Sequence, residues 1–200
     1  MRNAAFVGAV VLAMSTIGYA QQQPPPTQPP APRPATGDKA MSHDANMTKD
    51  HHFVTEAASG GMAEVELGKL ASEKATSPEV KKFGERMADD HGKANDELKT
   101  LAQNKSITLP NALDAKHKAT VDRLSKLTGE AFDRAYMQEM LKDHKTDVAA
   151  FRTESKSGKD ADIKAWAAKT LPTLEEHLKL AQDANRAVGT SGTMPKKNPK

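Results

Sequence analysis

In the stretch RMADDHGKAN, residues 86–95, one imidazole falls in line with apolar side chains. Val80, Phe83, Met87, Ala94, Leu98 and Leu101 succeed one another at helical spacing, and His91 occupies the one long gap between Met87 and Ala94. Steps of three and four keep residues on one face of an α-helix, so His91 is predicted to point into the core. Three other stretches repeat the arrangement. Phe53, Ala57, Gly60 or Gly61, Leu67 or Gly68 and Ala71 share their stripe with Glu64. Phe132 or Asp133, Tyr136 or Met137, Met140, Val148 and Phe151 share theirs with His144, and Thr170, Leu174, Ala181, Ala184 and Val188 share theirs with His177. Each stretch therefore carries one metal-capable group on its apolar face.

Glu64, His91, His144 and His177 allow two chemistries. Neutral imidazoles and a carboxylate suit Fe(II), Mn(II), Zn(II) or Cu(II), and the cores of helix bundles are where such sites are built. The same groups can instead form a metal-free polar layer that sets helix register through mutual hydrogen bonds. Either way Glu64 needs partners, because a lone buried carboxylate costs several kcal/mol. The chain has no cysteine, which excludes thiolate sites, disulfides and covalently attached haem. Haem b held by Met62 and His177 is disfavoured because Met62 lies off the stripe. His43, His51, His52 and His117 read as surface or helix-end residues. Asp90, Asp143 and Glu176 each precede a stripe histidine and point about 100° away from it, a position suited to solvent or to supporting a ligand.

The elements that must carry these groups are helical. No alternating β pattern is bounded by turn signals, and Ala, Lys, Glu, Asp, Leu and Met dominate. Helices are expected over residues 50–75, 78–105, 112–127, 130–157 and 160–188, with Ser77 and Pro78 starting the second and Gly129 closing the third. Two tight turns, near residues 76–77 and 158–159, imply antiparallel hairpins, and residues 106–129 form a longer crossover. The fold class is all-α: an antiparallel ferritin-like four-helix bundle with a short extra helix in the long crossover. Distances from the two turns bring the four polar groups to one level within roughly one helical turn, about 5 Å. Gly60, Gly61 and Gly68 on the first helix imply either close helix approach or room at the centre. Pro172 removes a backbone hydrogen bond just before His177 and should bend the last helix there.

Outside the bundle, expected over residues 48–188, the chain changes character. Residues 1–20 read as a secretory signal peptide: Arg2, an apolar run too short for a membrane span, and small residues ending at Ala20. Residues 21–47 read as a Pro/Gln-rich disordered linker that holds the domain away from a surface, and 189–200 as a disordered basic tail. These features imply a periplasmic or secreted protein with no membrane span. Net charge is only +3, basic and acidic residues interleave, and one Trp and two Tyr offer no stacking platform. Nucleic acid is therefore an unsuitable partner.

Three blocks carry a family resemblance. FVTEAASGGMAEVELGKLASEKATSPEVKKFGERMADDHGKANDELKTLA, FDRAYMQEMLKDHKTDVAAF and IKAWAAKTLPTLEEHLKLA resemble, in this order, the bacterial family catalogued as domain of unknown function 4142. The resemblance spans residues 51–185 and implies a ferritin-like fold and an exported envelope protein, with no activity attached. It departs from di-iron ferritins, which use Glu-x-x-His pairs: Ala88 and Leu174 stand three residues before His91 and His177. A mononuclear site of three histidines and Glu64 is the more economical expectation.

Overall fold

The computed structural model describes residues 37–191, with side chains over 48–189. The expected signal peptide, residues 21–36 of the expected linker and residues 192–200 of the tail expected from 189 lie outside the described residues. Five helices follow in order: α1 (Gly37–Lys74), α2 (Pro78–Asn104), α3 (Ala115–Ser125), α4 (Gly129–Ser157) and α5 (Ala161–Ser191). No strand occurs among the described residues, and none of their helices is long and apolar enough to cross a membrane. The first helix starts at Gly37, well ahead of the expected residue 50. Beyond Pro34 no further proline intervenes, and Lys, Ala and Met favour helix, so nothing local stops the helix from extending backwards. Gly129 opens α4 rather than closing α3, with φ +60, a conformation glycine adopts without steric cost. The last helix runs through Pro172 unbroken.

Two helical hairpins make the core. Gly68 meets Gly84 and Glu64 meets His91, so α1 and α2 run in opposite directions. His144–His177 and Arg152–Glu175 do the same for α4 and α5. The hairpins join through α2 against α5 (Arg86–Glu176, Lys169–Glu97) and α1 against α4 (Phe53–Phe151). Each hairpin's turn is bound by an aspartate of the other. Asp133 on α4 accepts from Thr76 N, Thr76 Oγ1 and Ser77 N at 3.1, 2.6 and 2.8 Å. Asp50 on α1 accepts from Lys159 N and Asp160 N at 2.7 and 2.6 Å. Backbone donors that a tight turn leaves bare are thereby satisfied from across the interface, which ties the register of one hairpin to that of the other.

The apolar interior is divided in two. One cluster gathers Leu67, Val80, Phe83, Met87, Leu124, Phe132, Tyr136, Met137 and Met140 with the end of α5. The other gathers Val54, Ala58, Leu98, Val148, Phe151, Ile163, Trp166 and Leu174. Along every long helix the two clusters are separated at one level, and that level holds Glu64, His91, His144 and His177.

The glycines of α1 do different jobs. At Gly68 an added Cβ would stand 2.6 Å from Gly84 O and 2.8 Å from Ala88 N, so this pair marks the closest approach of α1 and α2. At Gly60 an added Cβ would meet nothing within 4 Å. Alanine should therefore split the two positions. Gly68→Ala is expected to cost about 1–3 kcal/mol by forcing the helices apart, and Gly60→Ala to stabilise by about 0.5–1 kcal/mol through helix propensity. Urea denaturation of the two variants reads both signs.

Candidate metal centre

Each of the four polar groups is carried inward by its helix. Glu64, His91, His144 and His177 are at most 6% exposed, and the last two are wholly buried. One ring nitrogen from each of His91, His144 and His177 lies within 4.8 Å of the other two. Glu64 stands beside the three rings, with Oε2 2.8 Å from His91 Nε2 and Oε1 3.2 Å from His144 Nδ1. His43 has no described side chain, while His52 is exposed and His51 partly so. His117 packs at the start of α3, against Asp114 and Ser59, and not in the layer.

Outer contacts decide where the protons sit. His177 Nε2 lies 2.9 Å from Asp90 Oδ2, and an ionised carboxylate only accepts, so Nε2 carries the hydrogen. His144 Nδ1 lies 3.0 Å from Met140 O, a carbonyl that also only accepts, so Nδ1 carries it there. In their neutral forms the remaining atoms, His144 Nε2 and His177 Nδ1, are bare, and they face each other at 3.4 Å. Two opposed lone pairs repel unless a cation or a proton lies between them. Two nitrogens bound to one tetrahedral metal at about 2.0–2.1 Å would sit roughly 3.3–3.4 Å apart. Holding the far nitrogen of an imidazole with a carboxylate or a backbone carbonyl is how proteins orient metal-ligating histidines. Glu64 Oε1 and His91 Nε2, both buried, have no partner at hydrogen-bonding angles.

Electrostatics follow the same geometry. Burial pushes the Glu64 carboxyl up, but the charges of His91 and His144 outweigh it and hold the group at about 2. Burial pushes His91 down, and the facing Glu64 charge reverses this, leaving its pKa above the ordinary value. For His177 burial wins against the Asp90 bond and lowers the ring to about 4. Burial also opposes ionisation of Asp90, yet its bonds to His177 and Arg86 keep it below the usual range. The metal-free layer thus sets an anionic Glu64 against a His91 ring whose protonated form it favours, and leaves His177 neutral at neutral pH.

Three residues that the stripe argument did not single out as part of the site belong to its surroundings. Asp90 reaches His177 on α5 instead of supporting its own neighbour His91. Asn95 fills the space that Gly61 leaves free. Asp147, one turn beyond His144, lines a cavity of about 630 Å³ together with Glu64 and His91. Burial and the Glu64 charge push its carboxyl up to about 8. The spacing of Asp143 and Asp147 in DHKTD was the available signal, since residues four apart share a helix face.

An all-α domain of paired helical hairpins with an imidazole cluster sealed in its core is the class of protein these features define. The chain belongs to the family described as domain of unknown function (DUF4142), whose family model matches residues 34–184. A crystal structure of a DUF305 fragment from Deinococcus radiodurans is similar, with TM-score 0.61 at 13% identity, covering 70% of this chain and 95% of that one. At such identity the likeness concerns fold alone. No curated protein matches the chain.

The lowered pKa of His177 has a pH consequence in metal-free protein. Its folded value, about 4, lies below the ordinary 6.5, so the unfolded chain binds more protons between them. Stability supplied by the neutral ring is present above pH 6.5 and is lost as pH falls through about 4, amounting to roughly 3 kcal/mol. Asp147, with its raised pKa, contributes with the opposite slope, so the comparison must be with a variant. His177→Gln should be less destabilised relative to wild type at pH 4 than at pH 7, by about 3 kcal/mol, when urea midpoints are measured in chelator.

Proposed function

We propose that this domain binds a divalent transition metal, with His91, His144 and His177 as nitrogen donors and Glu64 as the fourth donor through Oε2. The observation that carries the reading is the pair of bare nitrogens, His144 Nε2 and His177 Nδ1, facing each other at 3.4 Å with both outer nitrogens committed to acceptors. Glu64 Oε2, 2.8 Å from His91 Nε2, lies at the distance of a neighbouring ligand. Imidazole and carboxylate together suit Fe(II), Mn(II), Zn(II) or Cu(II). Ligation needs the neutral His91 ring while the Glu64 charge favours its protonated form, so metal and proton compete there and affinity should rise with pH.

The architecture this reading assumes is a ferritin-like four-helix bundle. The setting it assumes is outside the cytoplasm, supported by the Arg2-led apolar run that ends at Ala20. The linker then serves as a tether at the envelope surface. Export predicts a mature N-terminus at Gln21, read by intact-mass spectrometry of protein recovered from the periplasm or medium. A mass that retains residues 1–20 would remove this part.

Titration of chelator-stripped, untagged protein with Zn(II) tests the centre. His91→Ala, His144→Ala and His177→Ala should each weaken binding more than tenfold, which is about 1.4 kcal/mol per factor of ten. Metal should raise the melting temperature of wild type and not of the variants, because a ligand stabilises only the state that binds it. The competing reading is an envelope or stress module with a metal-free polar core, favoured by the self-balancing Glu64–His91 charge pair. Under it the same variants lose about 1–3 kcal/mol of stability and added metal changes nothing.

A further inference from the structure

The histidine layer has two faces towards solvent, and they differ. Between α2 and α5, Arg86 closes the way. Its Nε holds Asp90 at 3.1 Å and its two terminal nitrogens hold Glu176 at 2.9 and 2.8 Å, directly over the Asp90–His177 bond. Between α1 and α4 the packing is open. The cavity there, about 630 Å³, reaches inward to Glu64 and His91, while His144 and His177 do not line it. Two buried atoms without hydrogen-bond partners, Glu64 Oε1 and His91 Nε2, belong to the residues at its inner end.

The wall on the way in carries Asp143 and Asp147, one helical turn apart on α4. Asp147 is only partly buried and makes neither hydrogen bond nor ion pair among the described residues. Its carboxyl interacts electrostatically with both Glu64 and His91. Lys116, the cationic neighbour on α3, is exposed and forms no ion pair with it. Opposite, the backbone of Gly60 leaves open space where any other residue would place a side chain. A carboxyl without a hydrogen-bond or ion-pair partner, on the wall that leads in to Glu64 and His91, is a ligand that an entering hard or borderline divalent cation takes by displacing its proton and then passes inward.

We propose that the cavity between α1 and α4 is the path by which a divalent cation reaches the histidine layer, with Asp147 as the carboxylate that takes it up first. This rests on the metal-binding reading of the same centre. Asp147 is then a transient ligand: it speeds loading and contributes little to the final affinity, because the donors that hold the ion are Glu64 and the three histidines. Gly60 keeps the path wide enough for a partly hydrated ion.

Co(II) is the probe, since its visible absorption reports nitrogen coordination, and stopped-flow mixing with chelator-stripped full-length protein gives the loading rate. Asp147→Asn should slow loading at least tenfold with equilibrium affinity changed less than threefold. Gly60→Leu, which plugs the path, should slow both loading and release at least tenfold without lowering the melting temperature. Gly60→Ala, a smaller plug, should fall between Gly60→Leu and wild type. Wild-type loading rates in both Asp147→Asn and Gly60→Leu would overturn the path and leave the metal centre standing. Failure of wild type to bind Co(II) at all would overturn both. A loss of affinity in Asp147→Asn as large as that in His91→Ala would make Asp147 a resident ligand and overturn its transient role.

Discussion

A carboxylate and three imidazoles are shut between two apolar clusters, and the rest of the structure answers to that. Glu64 is only 3% exposed, so its charge must be met from inside. Burial strips the carboxylate of its water, and only groups at hydrogen-bonding distance can replace that hydration, so the partners have to stand against it. His91 and His144 do so, at 2.8 and 3.2 Å. This demands that α1, α2 and α4 agree in height to within a fraction of a helical turn. An apolar core of the same volume would tolerate a slip of one helix along another; a buried carboxylate would not.

Register is accordingly enforced elsewhere as well. Asp133 reaches from α4 to the turn between α1 and α2, and Asp50 reaches from α1 to the turn between α4 and α5. The two caps sit at opposite ends of the helical core, and the polar layer lies between them. Sliding one hairpin against the other would uncover turn donors at both ends and misalign the charge in the middle. These three contacts are mutually consistent, and such agreement between local and distant interactions is what singles out one packing among many. The tight Gly68–Gly84 crossing adds the lateral constraint that brings Glu64 and His91 together.

The same sealing makes the site asymmetric. Arg86, bridging Asp90 and Glu176, covers the side where His177 is held. The side of Glu64 and His91 is left to a cavity. The four polar groups therefore divide into a pair anchored by outer hydrogen bonds, His144 and His177, and a pair that lines the cavity, Glu64 and His91.

Much of this was legible in the sequence because helical periodicity is a local property. Stripe phase alone turns Glu64, His91, His144 and His177 inward, since each occupies a position that the flanking apolar residues define. The all-α class and the order of five helices follow from composition, caps and turns for the same reason. The start of α1 did not, because helix propensity between Gly37 and Asp50 is weak evidence against a neighbouring proline-rich segment. What only the tertiary structure decided are the contacts between residues far apart in the chain. Nothing in DDHG tells that Asp90 serves His177 on α5 rather than its neighbour His91, and nothing in DHKTD tells that Asp147 lines one cavity with Glu64. Nor could the sequence assign Gly60 to open space and Gly68 to a crossing, since both are glycines on one helix. Tautomers belong to the same group: which nitrogen of His144 or His177 is bare depends on the acceptor at its back. Periodicity along one chain decides which way a side chain faces, and only the packing of four helices decides what it meets.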